Sequence, residues 1–293
     1  MRYDGATYRH PVEANTFLLQ VTVGCSHNKC SFCTMYQNSP FKISPIEHIK
    51  EDLEEIKKYG REVKRINLLN ADPFVLSAKK LIEIGELINE VLPEVEVITG
   101  YCSVINLKNK SLEDLKRLRE LKFNELYIGI ESAYDPALKM MNKGFTSSEA
   151  DEIIGRLVEA GFDWDAIILQ GIAGKGKGEI SAIETAKFLN KYPPYMISLM
   201  SMDVTKGSAL EQIKDRGEFV EASELEMLEE EKELLKWLNF EDCFFFGGHN
   251  YNLAPINERL ENKDKIIKYI DECISRYDNQ VLEGNVRRMA MKG

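Results

Sequence analysis

Three cysteines, Cys25, Cys30 and Cys33, stand within nine residues of a 293-residue chain. Thiolates on so short a loop can hold three corners of an iron–sulfur cube, whose irons usually take cysteine ligands, often four. With three local cysteines one iron is left for a non-protein ligand, and an open iron is what cluster chemistry on a substrate or cofactor requires. The competing reading is a structural zinc ion, which wants four ligands, commonly in two pairs. His27 would supply the fourth, but it lies between two of the cysteines, a cramped position for one tetrahedron, and no second Cys-x-x-Cys pair occurs. Cys102, Cys243 and Cys273 are scattered and read as buried thiols, since free cysteine behaves as a small hydrophobe.

Other residues able to do chemistry stand where apolar runs end. They are Asp72 in Asn70-Ala71-Asp72-Pro73, Glu131 and Ser132 in Gly129-Ile130-Glu131-Ser132, and Gln170 at the head of Gln170-Gly171-Ile172-Ala173-Gly174. The plain readings are an Asp-Pro turn, a surface glutamate and a small-residue turn. Met200–Asp203 closes a further run, where methionines at strand spacing read first as core. Gly174-Lys175-Gly176-Lys177-Gly178 looks like a phosphate loop but lacks the G-x-x-x-x-G-K-[ST] pattern, so it reads as a flexible loop rather than a nucleotide-triphosphate site.

The elements that position these residues alternate. Strands are expected at Thr16–Val23, Arg65–Asn70, Glu94–Thr99, Glu125–Ile130, Trp164–Gln170 and Tyr195–Met202. Helices are expected at Pro45–Tyr59, Ala78–Val91, Ser111–Leu121, Ser147–Ala160, Ile180–Leu189, Glu224–Leu238 and Asp264–Ser275. Ser111 is a good N-cap with Asp114 in the first turn, and Gly161 a good helix stop. Strands alternating with helices argue for parallel βα units. Six units fall short of the eight of a complete barrel. The expected fold is therefore α/β, a partial (βα)6 TIM-like barrel over residues 1–205 with a C-terminal extension over 206–293. In such a barrel chemistry sits at the C-terminal strand ends, where the residues above fall.

Composition narrows the classes. The net charge of −10 argues against nucleic acid, whose binders usually show a basic face. The opening residues lack the apolar run of a secretory signal and no stretch could span a bilayer, so a cytoplasmic protein without a membrane partner is expected. A disulfide framework does not suit such a setting.

The cysteine triplet, ending in Phe32-Cys33 after the first strand of a βα repeat, resembles the radical S-adenosylmethionine (SAM) superfamily. The segment Gly129-Ile130-Glu131-Ser132 with Leu138-Lys139-Met140-Met141-Asn142-Lys143-Gly144 resembles the branch that holds oxygen-independent coproporphyrinogen oxidases and methylthiotransferases. The opening, Tyr3 to Ala14, and the tail Phe244–Glu272 are similar to an uncharacterised group described as Fe–S oxidoreductases. One departure is local: four residues separate the first two cysteines, where three are commonest.

The resemblance implies a [4Fe–4S] cluster on Cys25, Cys30 and Cys33 whose open iron chelates SAM. It also implies reductive cleavage to methionine and a 5′-deoxyadenosyl radical. It places Asp72 near the methionine amino group, Glu131 with Ser132 at the ribose, Lys143 or Arg156 at the carboxylate, and the strand end at Gln170 against adenine. His249, in a tail able to cover the barrel mouth, and Cys102, a possible hydrogen donor, are candidates for the substrate side. The expected partners are a small-molecule substrate and an external electron donor of ferredoxin or flavodoxin type. Two other readings stay open: an enzyme that modifies RNA or protein, and an Fe–S electron-transfer or metal-binding protein without SAM chemistry.

Overall fold

The computed structural model describes residues 1–60 and 62–284. The strands are β1 (Phe17–Gln20), β2 (Thr22–Val23), β3 (Lys42–Ile43), β4 (Arg65–Leu69), β5 (Val97–Cys102), β6 (Phe123–Glu131), β7 (Asp163–Gln170), β8 (Met196–Ser201), β9 (Phe244–Phe246) and β10 (Asn257–Arg259). The helices are α1 (Ile46–Lys58), α2 (Ala78–Val91), α3 (Val104–Leu107), α4 (Leu112–Glu120), α5 (Asp135–Met140), α6 (Ser147–Glu159), α7 (Gly178–Lys191), α8 (Ala209–Asp215), α9 (Glu224–Trp237), α10 (Lys263–Arg276) and α11 (Asn279–Leu282). A mostly parallel eight-stranded sheet runs in the order β1-β4-β5-β6-β7-β8-β9-β10, as the alternating pattern predicts for an α/β fold. All six expected strands and all seven expected helices are present. The first strand is broken after Gln20, and its end, β2, turns away to pair with β3.

The chain divides into two compact units. Of the described residues, the first holds 1–28, 35–60, 62–129 and 152–164; the second holds 29–34, 130–151 and 165–284.

In the first unit β1, β4 and β5 pair in parallel, and β5 continues onto β6 with a register shift between Ile98 and Thr99. Apolar faces of α1 (Ile49, Leu53, Ile56) and α2 (Leu81, Ile84, Ile88) are buried, as helical periodicity requires of core-facing helices. Ser111 caps α4 in a capping box with Asp114, so the expected N-terminus is met. A buried polar knot lies under the strands. Glu13, fully buried, accepts from Arg65 Nε at 3.1 Å and Nη2 at 2.8 Å and from Thr99 Oγ1 at 2.8 Å. Tyr127 donates its hydroxyl to the same carboxylate, and His10 stacks on Tyr127 at 4.6 Å. Burial opposes the Glu13 charge, but the hydrogen bonds from Arg65, Thr16 and Tyr127 hold its carboxyl below the ordinary range. Burial pushes His10 down to about 4, so the imidazole is neutral near pH 7.

In the second unit β7 and β8 pair in parallel, β9 adds parallel to β8, and β10 closes the edge antiparallel to β9. These last two strands lie in the tail that showed no regular pattern. The tail is stitched by Asn252, whose Oδ1 accepts from Ser201 N at 2.7 Å and whose Nδ2 donates to Gly247 O at 2.7 Å and Leu199 O at 2.9 Å. Leu169, Ile172, Met202, Val204, Leu210 and Phe219 belong to one apolar cluster, with Met200 packed against it. The methionines at the end of the sixth predicted strand are therefore core. Gly174–Gly178, read from sequence as flexible, is pinned instead: Lys175 N donates to Val220 O and Gly176 N to Glu226 Oε1, both at 2.8 Å.

Candidate functional site

In the second unit the cysteine loop is held by its backbone. Ser31 N donates to Met141 O at 2.9 Å and Ser31 Oγ to Met140 O at 3.0 Å. Asn142 Nδ2 donates to Lys29 O at 2.9 Å, and Leu210 N to Ser31 O at 2.7 Å. The Leu138–Gly144 segment thus clamps the loop that carries Cys30 and Cys33. Asn142 adopts φ 51°, and Glu131 φ 63°. This left-handed region is uncommon for residues with a Cβ, and a carboxylate held there at a strand end fits a functional position.

Glu131 and Lys143 are brought together. Lys143 Nζ donates to Glu131 Oε1 at 2.9 Å and lies 6.0 Å from the Phe32 ring centre and 5.7 Å from that of Phe145. Burial works against the Lys143 charge, but the Glu131 carboxylate and the Cys30 and Cys33 thiolates raise its pKa. A buried ammonium beside two cysteines is the setting that favours thiolates. Glu131 Oε2 is buried and has no hydrogen-bond partner. An acceptor in that state costs free energy unless it is completed, so Oε2 is placed to take a ligand hydroxyl.

Ser132 sits one layer away. Its Oγ lies 3.0 Å from Ser181 Oγ and 3.2 Å from Thr185 Oγ1 and accepts from Tyr134 N at 3.0 Å. All of its contacts brace the strand end. Gln170 is also turned into this layer: Nε2 donates to Ser201 Oγ at 2.8 Å, and Oε1 has no partner. Ile168, Gln170 and Leu199, with Ser181, Thr185, Glu230 and Glu231, line a cavity of about 10 Å³, room for about one water. Glu230 Oε2 accepts from Gly171 N at 2.7 Å, fixing the turn after β7 at a glycine with φ 82°. It is this positive φ that favours glycine there, since a Cβ would meet only the flexible end of the Met227 side chain, 2.8 Å from Sδ.

Burial pushes Glu230 up to about 7 and Glu231 up to about 8. A carboxyl whose folded pKa lies above its unfolded value stabilises fully below about pH 4.5 and loses that contribution as pH rises through the folded value. Glu231→Gln should therefore leave the melting temperature unchanged at pH 5 and raise it by a few degrees at pH 8, the equivalent of roughly 1–2 kcal/mol. Thermal melts of both proteins from pH 5 to 9 check this, and parallel curves would refute it.

In the first unit Asp72 Oδ2 accepts from Ser103 Oγ and Asn106 Nδ2, and Oδ1 is buried without a partner. Burial pushes this carboxyl up to about 6. Asn106 Nδ2 also donates to Ser26 Oγ at 3.0 Å, linking Asp72 to the residue after Cys25, and Asn28 N points to Cys25 Sγ at 3.4 Å. Lys110 Nζ donates to Leu76 O at 3.0 Å and Asn106 O at 3.1 Å, and to Phe74 O. Ser103, Asn106 and Lys110 are neighbours of Asp72 that no motif marked. The single local signal was Ser103, an N-cap type that caps α3. Burial and the nearby Asp72 push the Cys102 thiol well above its ordinary value, which keeps it protonated. Arg156, half-buried on α6, has Nε and Nη2 buried without partners. In the second unit, His249 Nδ1 accepts from Tyr251 N at 3.3 Å, its ring meets Tyr251 edge-on at 5.3 Å, and burial lowers its pKa.

Cys25, Cys30 and Cys33 are half-buried and form no disulfide. Among the described residues no three His, Cys, Asp or Glu side chains converge on one point as ligands of a single ion would. A cube takes its cysteine ligands at separate corners, so three thiols outside any disulfide, with a cation beside two of them, suit a cluster. No helix of the described residues is long and apolar enough to cross a membrane.

The chain matches the model described as the Radical SAM superfamily over residues 19–189. It is 24% identical over 220 residues to an uncharacterised Methanocaldococcus jannaschii protein, covering 69% of this chain and 65% of that one. It is 25% identical over 146 residues to the ribosomal protein uS12 methylthiotransferase RimO of Caldanaerobacter subterraneus subsp. tengcongensis, covering 47% of this chain and 32% of that one. The chain thus spans less than two-thirds of the length of either relative. Among solved structures, coproporphyrinogen III oxidase (HemN) from Escherichia coli superposes with a TM-score of 0.58 at 17% identity, over 80% of this chain and 54% of that one. Methylornithine synthase (PylB) gives 0.55 at 17% identity, over 87% and 68%. These likenesses identify the fold as the partial TIM-like barrel of such enzymes.

Proposed function

Because the chain belongs to the Radical SAM superfamily, whose members carry a [4Fe–4S] cluster and SAM, we propose that it cleaves SAM to generate hydrogen abstraction from a small organic substrate. The observation that carries this reading is the clamped cysteine loop, with the buried Lys143 ammonium paired to Glu131 Oε1 at 2.9 Å and Glu131 held in a left-handed conformation. The cluster and SAM together supply a 5′-deoxyadenosyl radical on one-electron reduction.

Every other part is played by the chain. Cys25, Cys30 and Cys33 hold three irons. Asp72, with an unpartnered Oδ1, receives the SAM ammonium, since a carboxylate that titrates near 6 gains from a cationic partner. Glu131 takes a ribose hydroxyl on Oε2, and Ser132 braces the strand behind it. Lys143 compensates the local negative charge, and Arg156 or Lys143 meets the SAM carboxylate. The backbone from Gln170 to Gly174 approaches adenine, while the Gln170 side chain serves the layer behind. Cys102, a protonated thiol, and His249, a neutral imidazole at high pH, are the substrate-side candidates. A small substrate is favoured over RNA because the net charge is −10. The electron comes from an external carrier of ferredoxin or flavodoxin type.

Anaerobic reconstitution with iron and sulfide, followed by SAM and dithionite, should release 5′-deoxyadenosine and methionine. A reconstituted cluster that neither binds nor cleaves SAM would refute the proposal and leave electron transfer as the function.

A further inference from the structure

Two strand ends of the second unit are joined from behind by one side chain of a C-terminal helix. Ser132 and Ala133 follow Glu131 at the end of β6, and Gly171 follows Gln170 at the end of β7. Glu230, on α9, reaches both. Its Oε2 accepts from Gly171 N at 2.7 Å, and Ser181 donates its hydroxyl to the same carboxyl. Ser181 Oγ lies 3.0 Å from Ser132 Oγ, which lies 3.2 Å from Thr185 Oγ1. Thr185 Oγ1 accepts from Ala133 N at 3.0 Å.

This run of hydroxyls has one direction. An ionised carboxylate only accepts, so Ser181 gives its proton to Glu230 and its oxygen accepts from Ser132. Ser132 in turn accepts from Thr185, whose oxygen is left to take Ala133 N. Glu230, Ser132, Ser181 and Thr185 are all buried. Water does not compete there, and buried hydrogen bonds in series strengthen one another.

The neighbouring backbone leaves room for the carboxyl. A Cβ on Gly178, the first residue of α7, would stand 3.1 Å from Glu230 Cβ and 3.2 Å from Oε2. Glycine lets the carboxyl lie against the start of that helix, where the dipole favours negative charge. The other end of the loop between β7 and α7 is tied to the same helix α9, since Gly176 N donates to Glu226 Oε1 at 2.8 Å.

We infer that Glu230 is a positioning residue for the nucleoside half of the SAM site, fixing the spacing between the β6 end that carries Glu131 and the β7 turn that meets adenine. The inference rests on the SAM site proposed above. Glu230 acts through Ser132 and Gly171, so its loss reaches the ribose and adenine contacts together. The amino-acid half of SAM, assigned to Asp72 and to Lys143 or Arg156, has no bond in this run. A ligand group held within a fraction of an ångström needs such support behind it.

The test separates the two halves of the ligand. In the reconstituted full chain at pH 8, where the Glu230 carboxyl is ionised, calorimetry reads SAM binding and its displacement by 5′-deoxyadenosine or by methionine. Glu230→Ala should weaken SAM and 5′-deoxyadenosine about tenfold, with methionine affinity and iron content unchanged. Glu230→Gln keeps an acceptor for Gly171 N, and its amide can donate to Ser181 so that the hydroxyls run in reverse. It should stay within about threefold of the parent. Glu229→Ala, which removes an exposed carboxylate one residue away, should match the parent. Ser181→Ala cuts one link and leaves Gly171 its acceptor; it should act in the same direction as Glu230→Ala and replaces it if that variant does not fold. Equal losses for methionine and 5′-deoxyadenosine would overturn the inference, because they mark a general loosening. Unchanged 5′-deoxyadenosine affinity in Glu230→Ala and Ser181→Ala would overturn it too, with the SAM site left standing. A parent that assembles its cluster but binds no SAM would refute that site and the inference with it.

Discussion

Replacing Cys30 with alanine should give a folded chain that retains neither cluster nor SAM cleavage. The loop's shape does not depend on the thiol. Ser31 is tied to Met140 and Met141 through its own backbone and hydroxyl, Asn142 reaches Lys29 O, and Cys33 N donates to Cys30 O at 3.2 Å. Each of these bonds survives in alanine. What disappears is one of three thiolates, and the two left cannot retain a cube that already has one iron without a protein ligand. Iron should fall from about four per chain toward zero, and 5′-deoxyadenosine formation should fall to the level of the iron-free protein. Iron and sulfide analysis, electron paramagnetic resonance and product assay check each part, with circular dichroism showing that the fold persists. Cys102→Ala and Cys243→Ala are the controls. Both side chains are buried, with thiols pushed up from their ordinary value, so both variants should keep full iron. A parent that binds one zinc and no sulfide would contradict the prediction, because zinc wants four ligands and no redox chemistry.

The parts legible in the sequence were those whose cause is local. Helix α2 appears at its expected bounds because Ile84 and Ile88 recur at helical spacing and Ser77 accepts from Lys80 N at the cap. The third predicted strand was placed at Glu94–Thr99, three residues early. Glu94–Glu96 alternates as a strand would, but Val95 N is already bonded to Leu92 O in a turn after α2, and pairing with β4 begins only at Val97. Strands β9 and β10 escaped notice because three residues each is too short for a period to register; they exist through their partners. The site divides in the same way. The cysteines were legible from type and spacing, and Glu131 from its strand end. The Asp72–Ser103–Asn106–Ser26 chain was not, since its members are up to 80 residues apart and meet only when β4 and β5 pair. Nor did the sequence reveal that Leu138–Gly144 also holds the cysteine loop, through the Met140 and Met141 carbonyls and the Asn142 side chain.

The opening motif that ends at Ala14 shows that local difference at its largest, and Glu13→Ala should be the most destabilising single change outside the core. Glu13 is completely buried and is the shared acceptor of Arg65, Thr99 and Tyr127. Alanine removes the acceptor and leaves the donors. Arg65 keeps Glu125, at 2.6 Å to Nη2 and 3.0 Å to Nη1, but Thr99 Oγ1 loses its carboxylate and the Tyr127 hydroxyl its acceptor, keeping only the bond it accepts from Arg65 Nη2 at 3.1 Å. Breaking one side of a buried ion pair costs about 3–5 kcal/mol, and the remaining Glu125 contact favours the lower end. In a chain of this size that corresponds to a melting temperature lower by about 10 °C. Glu13→Gln keeps the shape and an acceptor, so it should lose about half as much. Acid should act on the same knot. The Glu13 carboxyl is held below its ordinary value, so its contribution is present above about pH 4.5 and fades as pH falls through the folded value. The parent should accordingly lose stability into acid more steeply than Glu13→Gln, which has no charge to lose there. Melts from pH 3 to 7 separate the two causes. A lower melting temperature in Glu13→Ala with an unchanged acid slope would assign the effect to packing, and no change at all would mean that Glu125 alone can satisfy Arg65.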